Sequence, residues 1–254
     1  MTAPVHNAVP RRYQGVWVRT LLETPEGRDS STWVRWLQAG DWHGDLRVPS
    51  DIDRQSLPGL ALQQGFGGLT TITRPDPTRP EVCTWHRRID FQPPRSTPDA
   101  GQMVFESSER LIETGIHGPY LEVWERLPDS LGPHFALLRL DTHGHPTDEQ
   151  LLRAGRYLMH LRPRRMAWPA DVQADESLAE VLQRHPAHST ALLDFDIAFG
   201  VWAQGQWTVE RATRPAQEGR SMRLQLKRPD QDQVQILGPA PDLAGHWLVQ
   251  AWAE

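Results

Sequence analysis

Short runs of alternating apolar and polar residues extend along most of this chain, and turn residues interrupt them at regular intervals. In residues 15–22, Trp17, Arg19 and Leu21 fall on one face while Val16, Val18 and Leu22 fall on the other, the spacing of a half-buried strand. Pro25 and Gly27 supply turn chemistry, and residues 32–38 follow as a strand rich in β-branched and aromatic side chains. Gly40 and Asp41 then turn the chain into 42–48, and 49–57 reads as a loop with a helical turn. Further strands are predicted at 68–73, 82–91, 102–106, 111–114 and 120–127, with proline-rich breaks that stop continuous pairing. Past Gly132 and Pro133 come strands at 135–141, 192–198, 201–203, 207–212, 222–226, 233–237 and 247–252.

Two segments depart from this rhythm. Residues 175–184 read as a helix, with an acidic first turn and Leu178, Val181 and Leu182 on one face. Residues 151–161 carry both signals. Thr147 with Gln150 resembles a capping box, but Gly155 interrupts any helix, and Tyr157, Met159 and Leu161 alternate with Leu158, His160 and Arg162, so a strand is favoured.

Many short strands and turns imply a sandwich or barrel, and closure would remove exposed sheet edges. The two halves also resemble each other. Gly15-Val16-Trp17 is matched with Gly155-Arg156-Tyr157, and Trp42 with Trp207. The reading is all-β: two tandem lipocalin- or calycin-like antiparallel barrels, the first over 13–131 and the second over 132–254, with an insertion near 163–188. Gly-x-Trp on the opening strand resembles the lipocalin and calycin signature. That resemblance implies that Trp17 plugs the closed end of the first barrel and that Arg126 stacks on it.

Bulk properties narrow the function classes. The 254 residues carry a net charge of −5, with 38% hydrophobic and 23% charged residues, a globular composition that lacks the basic field of a nucleic-acid binder. Cys83 is the single cysteine, which suits a reducing compartment. Residues 1–12 read as a loose arm without the apolar core of a signal peptide, and no run is long enough for a membrane span, so the expectation is cytoplasmic. Eleven tryptophans against three tyrosines point to indole-rich cores, with a ligand box as the alternative.

The stretch LIETGIHGPYLEVWERLP resembles the middle of the fungal HRI family, named for interaction with a casein-kinase-type kinase, and LLRLDTHGHPTDEQLLRAGRYLMHLRP is similar to that family's second-half opening. The likeness covers roughly 111–161 best. It implies two lipocalin-like barrels and no assigned catalytic residue, and this chain has Tyr157 where the family tends to have Trp.

The candidate site residues are polar or aromatic positions on faces read as inward: Trp17, Arg19, His86, Arg88, Glu113, Tyr120, Glu122 and Trp124, lining one cavity of the first barrel. Arg19 or Arg88 would pair with Glu122, since a buried charge needs a partner. Three functions follow. One is a binding protein for a small hydrophobic or amphipathic ligand. Another is a non-catalytic protein-interaction scaffold with filled barrels. The third is an enzyme moving protons between Glu113 or Glu122 and His86. No cofactor or metal site is expected: His143-Gly144-His145 reads as an exposed turn with too few ligands.

Overall fold

The computed structural model describes residues 8–238 and 242–254. The first sheet comprises β1 (Gly15–Thr24), β2 (Gly27–Asp29), β3 (Trp33–Ala39), β4 (Trp42–Val48), β5 (Gln64–Thr73), β6 (Glu81–Asp90), β7 (Asp99–Phe105), β8 (Arg110–Gly115) and β9 (Leu121–Arg126). Consecutive strands pair antiparallel, apart from the short β2 beside β1, and β1 also pairs with β9, which closes the barrel. A short helix, α1 (Leu57–Leu60), lies between β4 and β5, its first turn capped by the Ser56 hydroxyl.

The second sheet comprises β10 (His134–Leu140), β11 (Pro146–Ala154), β12 (Tyr157–Arg162), β13 (Asp196–Ala203), β14 (Gln206–Ala212), β15 (Ser221–Arg223), β16 (Gln225–Lys227), β17 (Gln233–Leu237) and β18 (Gly245–Ala253). Here β10 pairs with β18, and the sheet ends at β15 and β16, which only Leu224 separates along the chain. This barrel is nearly closed. Two short helices, α2 (Leu178–Arg184) and α3 (Ser189–Leu192), are inserted between β12 and β13. The helix expected from residue 175 begins at Leu178. Its N-cap Ser177 and Glu180 form a capping box, while Asp175 takes a left-handed φ of 67° and stays outside the helix.

The largest apolar cluster lies between the barrels. It joins Leu37, Trp42 and Leu46 from the outside of the first barrel to Tyr157, Met159 and Leu161 from the outside of the second, with Leu178 and Val181 of α2 alongside. Close approach depends on missing side chains. A Cβ at Gly44 would stand 2.6 Å from the Met159 sulfur, and one at Gly67 would stand 2.7 Å from Leu161. This doubly covered packing is why residues 157–161 are all buried and why their alternation looked ambiguous.

Two expectations are corrected. The match of Trp42 with Trp207 fails, because Trp42 belongs to the outer interface and Trp207 to the interior of the second barrel. Tyr157 does not plug the second barrel: it faces outward and stacks on Phe199 at 5.5 Å. Trp247, fully buried on β18, fills that place. Of the arm expected over 1–12, residues 1–7 lie outside the described residues. Val9 is buried, as is Tyr13 of the short 3₁₀ turn that follows it, both against the end of the first barrel.

Candidate functional site

Strands alternate their side chains between the two faces, so each strand of the first barrel sends every second residue inward. Toward one end these residues are apolar and interlocked. Trp17 lies 6.2 Å from Trp36, Phe105 meets Trp17 edge-on, and Arg126 covers the Trp17 ring at 4.2 Å. Arg126 also donates to the carbonyls of Gln14, Arg12 and Ser108, and Glu109 lies 3.5 Å from its Nε.

Toward the other end the interior turns polar around a cavity of about 350 Å³. Trp36, Phe66, Trp85 and Trp124 form its apolar wall, and Arg19, Asp45, Arg47, Arg87, Asp99, Glu113 and Glu122 supply its charges. The charges are ordered in pairs. Arg19 lies 2.7 Å from Glu122 and 3.1 Å from Asp29. Arg47 lies 2.7 Å from Asp45, and Arg87 lies 2.6 Å from Asp90 and 2.5 Å from Asp99. Arg87 also covers the Phe66 ring at 3.4 Å, which fixes both side chains.

Glu113 and Tyr120 belong to the polar lining. The Tyr120 hydroxyl donates to Glu113 Oε1 at 2.7 Å, and the Trp124 indole N–H donates to Oε2 at 3.0 Å. Burial, reinforced by Glu122 on the neighbouring strand, raises the Glu113 pKa well above the usual carboxylate range. Burial followed by Glu113 raises the Tyr120 phenol as well. For Asp99, burial pushes upward, but the Arg87 and Arg47 guanidiniums together with Arg95 outweigh it and hold the carboxyl below its usual range. His43, inside the barrel, bonds Thr70 at 3.1 Å, and burial followed by Arg87 lowers its pKa to about 3.

Of the eight residues expected to line this cavity, Arg19, Glu113, Tyr120, Glu122 and Trp124 do so. Trp17 is inside the barrel but belongs to the plug and does not reach the cavity. His86 and Arg88 are corrected: both are outside. His86 is exposed and bonds Thr71 at 2.9 Å, while Arg88 pairs with Asp148 of the second barrel at 2.8 Å. Their inward neighbours Trp85 and Arg87 hold the places assigned to them. A bulge at Gly67/Gly68, opposite Arg88, also breaks the alternation that would have related the two ends of β6.

Asp45 and Arg47 were legible in principle, since Trp42, Gly44, Leu46 and Val48 occupy the other face of β4. Arg95 was not, because it reaches the mouth of the cavity from the loop between β6 and β7, where no periodicity applies. The proton-transfer pairing with His86 loses its base, which stands on the far side of the sheet.

The second barrel is filled. Phe135, Leu151, Leu158, Trp207 and Trp247 pack its interior, and the cavity beside His160 and Trp207 measures about 20 Å³. Among the described residues, no group of three or more His, Cys, Asp or Glu side chains is placed to hold a metal ion, and no helix is long and apolar enough to cross a membrane.

No family model and no curated protein matches the chain. Among solved structures the chain is similar to the crystal structure of the uncharacterized protein YLR301w from Saccharomyces cerevisiae. The TM-score is 0.60 at 10% identity, over 94% of this chain and 99% of that one. At that identity the likeness concerns the fold.

Proposed function

We propose that the first barrel binds a small amphipathic molecule, its apolar body against Trp36, Phe66, Trp85 and Trp124 and its polar end among the charged groups. The observation that carries this is the contrast between the barrels. The first keeps a cavity of about 350 Å³ with an apolar wall and convergent polar groups, whereas the second is packed down to about 20 Å³. Small-molecule pockets span roughly 300–1,000 Å³ and combine apolar lining with a few fixed polar groups. A scaffold with both barrels filled does not fit the first cavity. The second barrel has a structural part, covering the outer wall that carries β4 and β5.

The same proposal relates the barrels to the calycins and the chain to the fungal HRI family. The support is the Trp17 and Arg126 stack together with the segment around 111–161. A reducing, cytoplasmic setting belongs to it too, with Cys83 buried and its thiol pushed up by burial.

Native mass spectrometry of freshly purified protein tests the proposal. A co-purifying adduct is expected, and Thr32→Trp, which fills the pocket from its lining, should remove it. An adduct retained by Thr32→Trp, or wild-type protein that carries no adduct and shows no change in Trp emission with any amphiphile, would refute the reading.

A further inference from the structure

Two carboxylates stand directly opposite each other on β8 and β9, Glu113 and Glu122, and both are buried on the cavity wall. Their partners differ. Glu122 has Arg19 at 2.7 Å and Arg47 at 3.8 Å. Glu113 has the neutral donors Tyr120 and Trp124, one on each oxygen, and among the described residues no Arg, Lys or His pairs with it. Gly101 on β7 makes room for this carboxyl, since a Cβ there would stand 2.6 Å from Glu113 Oε1. Glu113 is therefore fixed in place at the wall without a counter-ion. The rest of the lining does not supply one. Arg19, Arg47 and Arg87 are held by Asp29, Glu122, Asp45, Asp90 and Asp99, more carboxylates than arginines. Arg95 stands at the mouth beside Asp90 and Asp99, on a loop that Asp175 of the second barrel holds through Pro94 O and the Ser96 N–H.

We propose that the pocket takes a monocationic amphiphile and that Glu113 is the counter-ion of its ammonium group. The proposal rests on the pocket reading above and adds the head group. A carboxylate removed from water requires a positive partner to stay charged. Aromatic rings beside it favour an organic cation, which their faces attract without competing for the carboxylate oxygens. Tyr120 and Trp124 touch Glu113, and Trp36 lies 5.8 Å from Trp124. An anionic head would meet Glu113 and Glu122 together. Without a cation beside it Glu113 holds a proton, because burial and Glu122 disfavour its charge. The titratable and charged groups facing it are Tyr120 and Glu122 of β9, Asp99 of β7, Cys83 of β6 and Arg47 of β4. An entering ammonium takes the place of that proton, which leaves to the buffer, and Glu113 becomes the carboxylate that Tyr120 and Trp124 already hydrogen-bond.

Octylammonium, octan-1-ol and octanoate share one chain and differ in the head, so their titration into the full chain at neutral pH separates head from body. Trp emission and calorimetry give the affinities, and calorimetry in buffers of different ionisation enthalpy counts the protons released. Octylammonium is expected to bind about tenfold or more tightly than octan-1-ol, the worth of a charged hydrogen-bonded contact, and octanoate most weakly. Octylammonium binding should release a proton and strengthen from mildly acid to neutral pH, while octan-1-ol binding does neither. Glu113→Gln should abolish both the octylammonium advantage and the proton release without changing octan-1-ol affinity. Glu113→Asp, which keeps the charge on a shorter arm, should keep part of each.

An octylammonium advantage that survives Glu113→Gln, octanoate binding as tightly as octylammonium, or octylammonium uptake by the wild type without proton release would overturn the counter-ion. The last of these stands whether or not the variants fold. Octan-1-ol binding without an octylammonium preference removes the counter-ion and keeps the pocket, whereas no binding of any of the three removes both.

Discussion

Trp247 occupies in the second barrel the place that Trp17 holds in the first. Each indole N–H donates to the carbonyl four residues earlier, Tyr13 O at 2.8 Å and Leu243 O at 3.1 Å. Each ring faces an arginine directly across the neighbouring strand, Arg126 at 4.2 Å and Arg139 at 5.3 Å. Each arginine donates to the carbonyls three and five residues before its tryptophan, Gln14 and Arg12 in one barrel, Ala244 and Asp242 in the other. The order differs: Trp17 is on the first strand of its barrel and Trp247 on the last.

This correspondence makes Trp247 a keystone of the second barrel and Tyr157 a lesser contributor. Trp247→Ala should lower the unfolding free energy by about 3–5 kcal/mol, the usual cost of truncating a buried Trp. Tyr157→Phe removes only the hydroxyl that donates to Pro128 O at 3.0 Å, a loss of about 1 kcal/mol. Denaturant titrations of both variants would rank them, and the reverse ranking would contradict the assignment.

The apolar cluster between the barrels predicts that they unfold together. Trp emission and far-ultraviolet circular dichroism should trace one coincident transition in urea. Gly44→Val, which drives new carbon into Met159 and Leu161, should cost about 1–3 kcal/mol as overpacking and separate the two probes. Coincident curves in Gly44→Val at unchanged midpoint would argue that the interface is loose.

His43 makes the fold sensitive to acid. Its folded-state pKa of about 3 lies below the ordinary histidine value of 6.5, so between these values the unfolded chain binds the proton and the native state does not. Stability from this residue is complete above the higher value and is lost as pH falls toward the lower. His43→Gln, which keeps a partner for Thr70, should flatten that part of the stability profile, as measured by unfolding midpoints across the acid range.

Glu113 acts with the opposite sign. Its folded pKa is raised, so the native state retains a proton that the unfolded chain releases above the ordinary glutamate value of 4.5. Its contribution is therefore complete below that value and declines as pH rises toward the folded-state pKa. Glu113→Gln, neutral throughout, should lose less stability than wild type between acid and neutral pH. An unchanged slope would mean that Glu113 is ionised in the folded protein.

The alternation over residues 120–126 put Tyr120, Glu122, Trp124 and Arg126 on one inward face, with Leu121, Val123 and Glu125 on the other. Along β6 the same reasoning chose His86 and Arg88, and the structure chose Trp85 and Arg87. That strand has polar residues on both faces, since its outer side meets solvent and the second barrel while its inner side holds an ion network. Period-two patterning cannot rank two polar faces.

By itself, the order of apolar, polar and turn residues determined that this chain is all-β and built of many short strands. That follows from strand periodicity and local backbone chemistry, which act over a few residues, whereas the meeting of Trp17 with Arg126 was implied by the likeness of Gly15-Val16-Trp17 to the calycin signature. Only the tertiary structure decided that Trp247 closes the second barrel, that glycines on β4 and β5 admit the second barrel's side chains, and that Asp175 reaches Arg95's loop. Those outcomes depend on which surfaces meet after the sheets curl, and residues far apart in the chain share no local signal of that meeting.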